Sequence, residues 1–266
     1  MEYQIIDAFT NKLFSGNPAG VCLPNNQLPE STMQNIAAEN NLSETAFLLK
    51  QNNGHYNLRW FTPTTEVDLC GHATLASAFV LFDEREKDAN TLTFDTASGE
   101  LIVTREGELL CLNFPASPPK ECHVHPAIGK ALGVKPLAVF KSIDFLVLVE
   151  SEDALRRLRP DMSALRQIAH DRDISGDCLG VIVTAPGDDC DFVSRYFAPG
   201  AGVPEDPVTC RAHCTLTSFW SKRLGKKVMD AQQLSARGGV LLCEGCGDRV
   251  KISGKAVRYL KGIIEL

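Results

Sequence analysis

Two short turns hold the residues with the most chemical promise. Asp68-Leu69-Cys70-Gly71-His72 and Asp206-Pro207-Val208-Thr209-Cys210 each lead into a helix-like stretch, Ala73–Phe82 in one case and Ala212–Leu224 in the other. The first backbone N–H groups of a helix have no partner inside it, and the macrodipole adds partial positive charge there. Such an end is a ready anion site. Two of them facing one cleft would hold a substrate carboxylate, or the enolate-like charge left when a carbon acid loses a proton. Donors preorganised for developing charge contribute on the order of 3–4 kcal/mol each. Gly71 lets the backbone approach a ligand closely, and the same geometry describes a tight turn.

The turns sit inside a longer repeat. Arg59-Trp60-Phe61-Thr62-Pro63 recurs as Arg195-Tyr196-Phe197-Ala198-Pro199. Each copy ends a predicted strand, Tyr56–Phe61 or Asp191–Phe197, and is followed by an acidic Pro/Gly-containing loop, the small turn and the helix. Gly225 is a natural stop for the second helix. This ordered series predicts a duplicated chain. Ligand pockets favour the boundary between such halves.

The elements that must position these turns are mostly short strands. The first half reads as strands at Ile5–Phe9, Ala19–Leu23, Thr45–Leu49, Thr91–Phe94, Leu101–Thr104 and Leu109–Asn113. A helix is predicted over Pro29–Asn40, with Ser31 as N-cap and Met33, Ile36 and Ala37 on one face. Three prolines in Pro115–Pro119 mark a linker. The second half reads as strands at Leu137–Val139, Asp144–Glu150, Gly180–Thr184, Gly239–Leu242 and Arg249–Ser253, with helices near Glu152–Arg157 and Met162–His170. Lys255–Leu266 reads as a final strand. Plain βαβ alternation would need more helices. The expected fold is therefore α+β: two similar domains, each a curved sheet around a central helix. The domains are placed at 1–116 and 120–254, with the last strand, about 255–266, returning to the first.

Composition narrows the function classes. The 266 residues are 44% hydrophobic and 23% charged, an ordinary globular balance. A formal net charge of −6 argues against a nucleic-acid surface. The longest apolar runs, such as Phe145–Val149, are about five residues, far short of a bilayer-spanning helix. The start, MEYQIIDAFT, has neither the basic nor the apolar part of a secretory signal. Ten cysteines without an export signal read as reduced thiols in a cytoplasmic protein. Cys243-Glu244-Gly245-Cys246 is a lone CxxC; zinc would want a second pair, and the plain reading is a strand turn. No Walker motif or dinucleotide fingerprint appears. No metal and no cofactor is expected.

Asp7-Ala8-Phe9-Thr10, Phe14–Val21, Ser43-Glu44-Thr45-Ala46-Phe47, Arg59–Ala76 and Glu205–Thr209 together give the sequence a resemblance to the phenazine-biosynthesis isomerase (PhzF-like) family. That family is similar in fold to diaminopimelate epimerase and proline racemase. The resemblance implies two like domains, each a β-barrel around a central helix, and a cofactor-independent isomerase with its active site in the interdomain cleft, acting on a small carboxylate-bearing substrate, and a homodimer. It makes Glu44 the acid/base carboxylate, His72 a substrate contact that assists proton movement, and Asp206 a second acidic contact. Burial would raise the carboxylate from its usual pKa near 4.3 toward neutrality. Epimerases of the related type use two thiols, one at each turn. Here Cys70 holds the first position and Thr209 the second, which disfavours a two-thiol reaction and leaves Cys70 as a packing residue. The family usually continues Gly-Ser-Ala-His after Glu205–Thr209, whereas this chain reads Cys210-Arg211-Ala212-His213. Arg211 would clamp a substrate carboxylate, fill the cleft or point to solvent. The same departure motivates an alternative: a catalytically weak or inactive small-molecule binding protein that kept the cleft. No membrane and no nucleic-acid partner is expected.

Overall fold

Parallel neighbours in a sheet need a crossover between them, and helices lie at those points in this chain. The structure, a computed structural model, describes residues 1–123, 125–176 and 178–266. It divides into two units, Met1–Asn113 with Ile252–Leu266, and Phe114–Lys251.

In the first unit β1 (Glu2–Ala8) pairs antiparallel with β2 (Asn17–Leu23). Helix α1 (Glu30–Asn40) crosses to β3 (Glu44–Lys50), which runs parallel to β2. Next come β4 (Tyr56–Phe61), antiparallel to β3, and the short β5 (Glu66–Val67), antiparallel to β4. The central helix α2 (Gly71–Glu84) then leads to β6 (Thr91–Thr96), parallel to β4. Strands β7 (Gly99–Glu106) and β8 (Leu109–Pro115) follow as an antiparallel meander.

The second unit repeats this plan. After β9 (Lys120–Glu121) and α3 (Pro126–Leu132), β10 (Ala138–Lys141) pairs antiparallel with β11 (Phe145–Leu148). Helices α4 (Glu152–Arg156), α5 (Met162–His170) and α6 (Arg172–Ser175) cross to β12 (Val181–Pro186), parallel to β11. Then come β13 (Phe192–Ala198), antiparallel to β12, and β14 (Val203–Asp206), antiparallel to β13. Helix α7 (Cys210–Leu224) precedes β15 (Val228–Gln233), parallel to β13, and β16 (Gly239–Cys246), antiparallel to β15. After β17 (Arg249–Gly254), β18 (Ala256–Ile263) pairs with β1 of the first unit. The order of parallel and antiparallel neighbours is thus the same in both units.

The repeated Phe-x-Pro segments share a contact as well. Arg59 forks onto Glu66 at 2.6 and 2.7 Å, and Arg195 forks onto Glu205 at 2.7 and 3.0 Å. Each guanidinium also lies over the ring two residues later, Phe61 at 5.2 Å and Phe197 at 4.9 Å. A planar fork ties the strand to the acidic loop that follows it, which explains why Arg and Glu recur together.

Helix α2 is enclosed. His72–Ala78 and Val80–Phe82 are all buried, and the helix packs on β1, β2, β3 and β18. Small residues allow that fit, and the hydroxyls of Thr74 and Ser77 bond back to the carbonyls of Cys70 and Ala73. In α7, Cys210, Ala212–Thr217 and Trp220 are buried. No helix among the described residues is long and apolar enough to cross a membrane.

Several expectations change in detail. Aligned by their strands and helices, the two turns match Cys70 with Thr209, since these are the two N-caps. The five-residue match written from Asp68 and Asp206 is therefore one residue out of register: the forks make Glu66 the counterpart of Glu205, so Asp206 corresponds to Val67 and Pro207 to Asp68. Ser31 lies inside α1, and Pro29 holds the N-cap position. Strand β15 escaped notice because Gln233, an inward-facing polar residue, breaks its alternation. Helix α3 escaped because it spans seven residues and contains Gly129, although Pro126 at its start and a left-handed Gly133 at its end are ordinary helix signals.

Candidate active site

Glu44 opens β3, where the parallel register sets it opposite Ala19 of β2. His72 is the second residue of α2, after the N-cap Cys70. These two elements bring Glu44 Oε2 to 3.2 Å from His72 Nε2. The pair is close in distance but not aligned as a hydrogen bond. Their side chains are 18% and 7% exposed, so the carboxylate keeps some access while the ring is enclosed. Cys70 Sγ lies 3.5 Å from His72 Nδ1 on the other side of the ring.

Burial pushes the His72 imidazolium down to about 3, so the ring is neutral at pH 7. A neutral imidazole offers one N–H and one lone pair, and can pass a proton without holding charge. Neither Cys70 nor Thr209 makes a side-chain cap to its helix. The first N–H groups of α2 and α7 are therefore not satisfied by their N-cap residues, and Gly71 stands first in α2.

In the second unit, Asp206 ends β14 and accepts from Thr209 Oγ1 at 2.5 Å. The same hydroxyl accepts from Gln233 Nε2 at 3.2 Å and makes no cap to α7. Gln233, fully buried on β15, knits the turn together. Its Oε1 accepts from Thr209 N at 2.9 Å, and its Nε2 donates to the Asp206 carbonyl at 2.7 Å. Sequence reasoning missed Gln233; a glutamine at an inward position of a strand is the signal that was available. Cys210 is the first residue of α7, and burial drives its thiol well above the usual range, so it stays protonated. His213 donates from Nδ1 to the Thr209 carbonyl at 2.8 Å, and burial pushes it down to about 4.

Arg211 is the second residue of α7, the position that His72 holds in α2. Its Nε donates to Asp144 at 3.0 Å and its Nη2 to the Ile143 carbonyl at 3.2 Å. The structure thus brings Glu44, Cys70, Gly71 and His72 together in one unit, and Asp206, Thr209, Cys210 and Arg211 together in the other. Cys243 and Cys246 do not form a pair. They lie on one strand, three residues apart, with Cys243 buried and Cys246 exposed. A strand sends such positions to opposite faces. A cavity of about 630 Å³ in the first unit lies elsewhere, lined by Phe79, Phe82, Arg105, Glu108 and Lys255 among others, and no predicted site residue lines it.

A sequence model of the phenazine biosynthesis-like protein family matches residues 6–262. The chain belongs to this family. A Pseudomonas aeruginosa member, named as an uncharacterized isomerase, is 48% identical over 100% of this chain and 99% of its own. The crystal structure of a PhzF-family phenazine biosynthesis protein from Enterococcus faecalis is 45% identical, with a TM-score of 0.95 over 100% of this chain and 99% of that one. A hydroxyproline epimerase from Agrobacterium vitis shares the fold, with a TM-score of 0.62 at 11% identity over 98% of this chain and 91% of that one. The phenazine biosynthesis-like chain is accordingly an isomerase-type enzyme with an epimerase-like α+β fold.

Proposed function

We propose that this enzyme moves a proton on a small carboxylate-bearing molecule, with Glu44 as the acid/base and no cofactor. The observation that carries the reading is the approach of Glu44 to a neutral, buried His72 at an uncapped helix end. In the proposed step the Glu44 carboxylate takes a proton from carbon, and the electron pair of the broken C–H bond delocalises into the substrate as an enolate-like anion. The N–H groups at the start of α2 stabilise that charge. Glu44, now protonated, returns the proton to another carbon or another face, and neutral His72 orients the carboxyl group and the bound substrate. Asp206, Thr209, Cys210 and Arg211 enter as substrate contacts through the family resemblance, supported by the duplicated turn. The proposed assembly is a homodimer, which light scattering tests.

Incubation in D₂O with a panel of small carboxylic acids tests the central step. Deuterium uptake at carbon by the wild-type enzyme, lost in Glu44→Gln, supports it. Uptake that survives Glu44→Gln assigns the base elsewhere.

One observation favours a second reading. Ligand atoms of Glu44, Cys70 and His72 lie within 4.8 Å of one another, a spacing that could hold a metal ion. A donor set of one carboxylate, one thiolate and one imidazole suits zinc. Elemental analysis of the purified enzyme decides this: stoichiometric metal that is lost in His72→Gln would replace the proton-shift reading with a metal centre.

A further inference from the structure

A cation at the start of α7 has the wrong sign for its place, because helix N-termini favour negative side chains. Arg211 nevertheless stands there, and a buried carboxylate holds it. Asp144 is fully buried, at 0% exposure. Its Oδ1 accepts from the backbone amides of Leu179 at 3.2 Å and Gly180 at 3.0 Å. Its Oδ2 accepts from Tyr196 Oη at 3.2 Å and Arg211 Nε at 3.0 Å. Four donors use the acceptor capacity of an ionised carboxylate in full. Asp144 therefore has nothing left to offer a ligand, and the charged group it holds is Arg211.

The guanidinium is fixed along one edge and open at its far end. Nε is engaged by Asp144 and Nη2 by the Ile143 carbonyl, while Nη1 has no hydrogen bond among the described residues. The side chain is 43% exposed. Arginine held this way presents a preformed two-point donor, and planar oxyanions match it. Beside it, the first N–H groups of α7 lack a side-chain cap. Arg211 also occupies the helix position that His72 occupies in the other unit. The duplicated turns have thus diverged into one bearing a neutral imidazole next to a carboxylate and one bearing a permanent cation.

We propose that Asp144 is a positioning residue that orients Arg211 to hold the substrate's carboxylate. This rests on the reading above that the substrate carries such a group and meets the Asp206–Arg211 turn. Because Arg211 stays charged at every working pH, substrate orientation does not change as the proton moves.

The test uses benzoate and its neutral isostere benzamide as probes, titrated into the full-length protein and followed by ligand NMR. Wild type is expected to bind benzoate at least about tenfold more tightly than benzamide. Arg211→Met should remove that preference, and Arg211→Lys should restore it only in part, since lysine keeps the charge without the fork. Asp144→Asn should weaken benzoate about tenfold with Arg211 still present. Tyr196→Phe, which removes one Asp144 donor and leaves the charge, gives a milder version should Asp144→Asn not fold. Wild type without a preference for benzoate, or Arg211→Met with unchanged benzoate affinity, overturns the carboxylate role. Full benzoate affinity in folded Asp144→Asn, or in Tyr196→Phe where Asp144→Asn does not fold, overturns the positioning role. Glu44→Gln should keep benzoate binding while losing deuterium exchange, so failure of the proton-transfer reading is seen separately.

Discussion

The hydroxyl of Tyr196 lies where a side chain on Gly180 would have to begin: a Cβ built on Gly180 falls 2.5 Å from Tyr196 Oη. The position matters because of its counterpart. Thr45 pairs with Phe61 in the first unit, and Val181 pairs with Phe197 in the second. One residue earlier stand Glu44 and Gly180. The second unit is thus barred from carrying a carboxylate where the first carries its proposed base, and the duplicated fold holds one such glutamate rather than two. Gly180→Ala should destabilise the protein by about 1–3 kcal/mol, since the added methyl must displace Tyr196 and break its bond to Asp144. Adding Tyr196→Phe should recover little, because the ring carbons Cζ and Cε2 lie 2.6 and 2.8 Å from the same Cβ. Urea unfolding of the two variants checks both.

Glu44→Gln keeps the shape of the side chain and removes its ability to take a proton. Proton exchange at the substrate carbon should fall by about 10²–10⁴-fold. The same variant should unfold at a temperature close to wild type, because the glutamine fits the same space. A fall of less than about threefold in exchange would remove Glu44 from the mechanism.

Stability should fall as the solution is acidified from about pH 6.5 toward pH 4. His72 and His213 have folded-state pKa values of about 3 and about 4, held down by burial. An unfolded histidine titrates near 6.5. Between those limits the unfolded chain binds protons that the folded chain refuses, so protonation favours unfolding. Each ring adds a slope of about 1.4 kcal/mol per pH unit below pH 6.5. His72→Gln and His213→Gln should each flatten the curve, read from denaturant unfolding at a series of pH values.

Thiol reagents separate a one-carboxylate enzyme from a two-thiol one. Burial raises the Cys214 and Cys243 thiols to about 12 and drives Cys210 well above the usual range. Cys246 is exposed. In native protein at pH 7.5, iodoacetamide should label Cys246 first, and Cys210, Cys214 and Cys243 only after unfolding. Mass spectrometry of the labelled peptides reads this out. Rapid native labelling of Cys210 would point to a reactive thiol at the second turn.

Much of this molecule is written in local patterns. The doubled Arg-x-Phe-x-Pro segments, the central helices and the left-handed Gly225 stop are legible because strand alternation, helix periodicity and glycine's positive φ act over a few residues. Met33, Ile36 and Ala37 form the buried face of α1 for the same reason. The proposed acid/base role of Glu44 comes from family resemblance, since nothing local separates Ser43-Glu44-Thr45 from an ordinary strand start.

What only the tertiary structure decided involves partners far apart in the chain. Asp144 and Arg211 are 67 residues apart, and Gln233 reaches back 27 residues to the Asp206 carbonyl. Whether Arg211 points to solvent or is gripped depends on a buried carboxylate in the bend before β11, which no spacing near Arg211 reveals. The contacts that fix the register of the two turns are likewise tertiary: the forks Arg59–Glu66 and Arg195–Glu205 make those two glutamates counterparts. Local sequence specifies which backbone shapes are cheap; which charges end up desolvated, and beside whom, is settled when distant strands come into register.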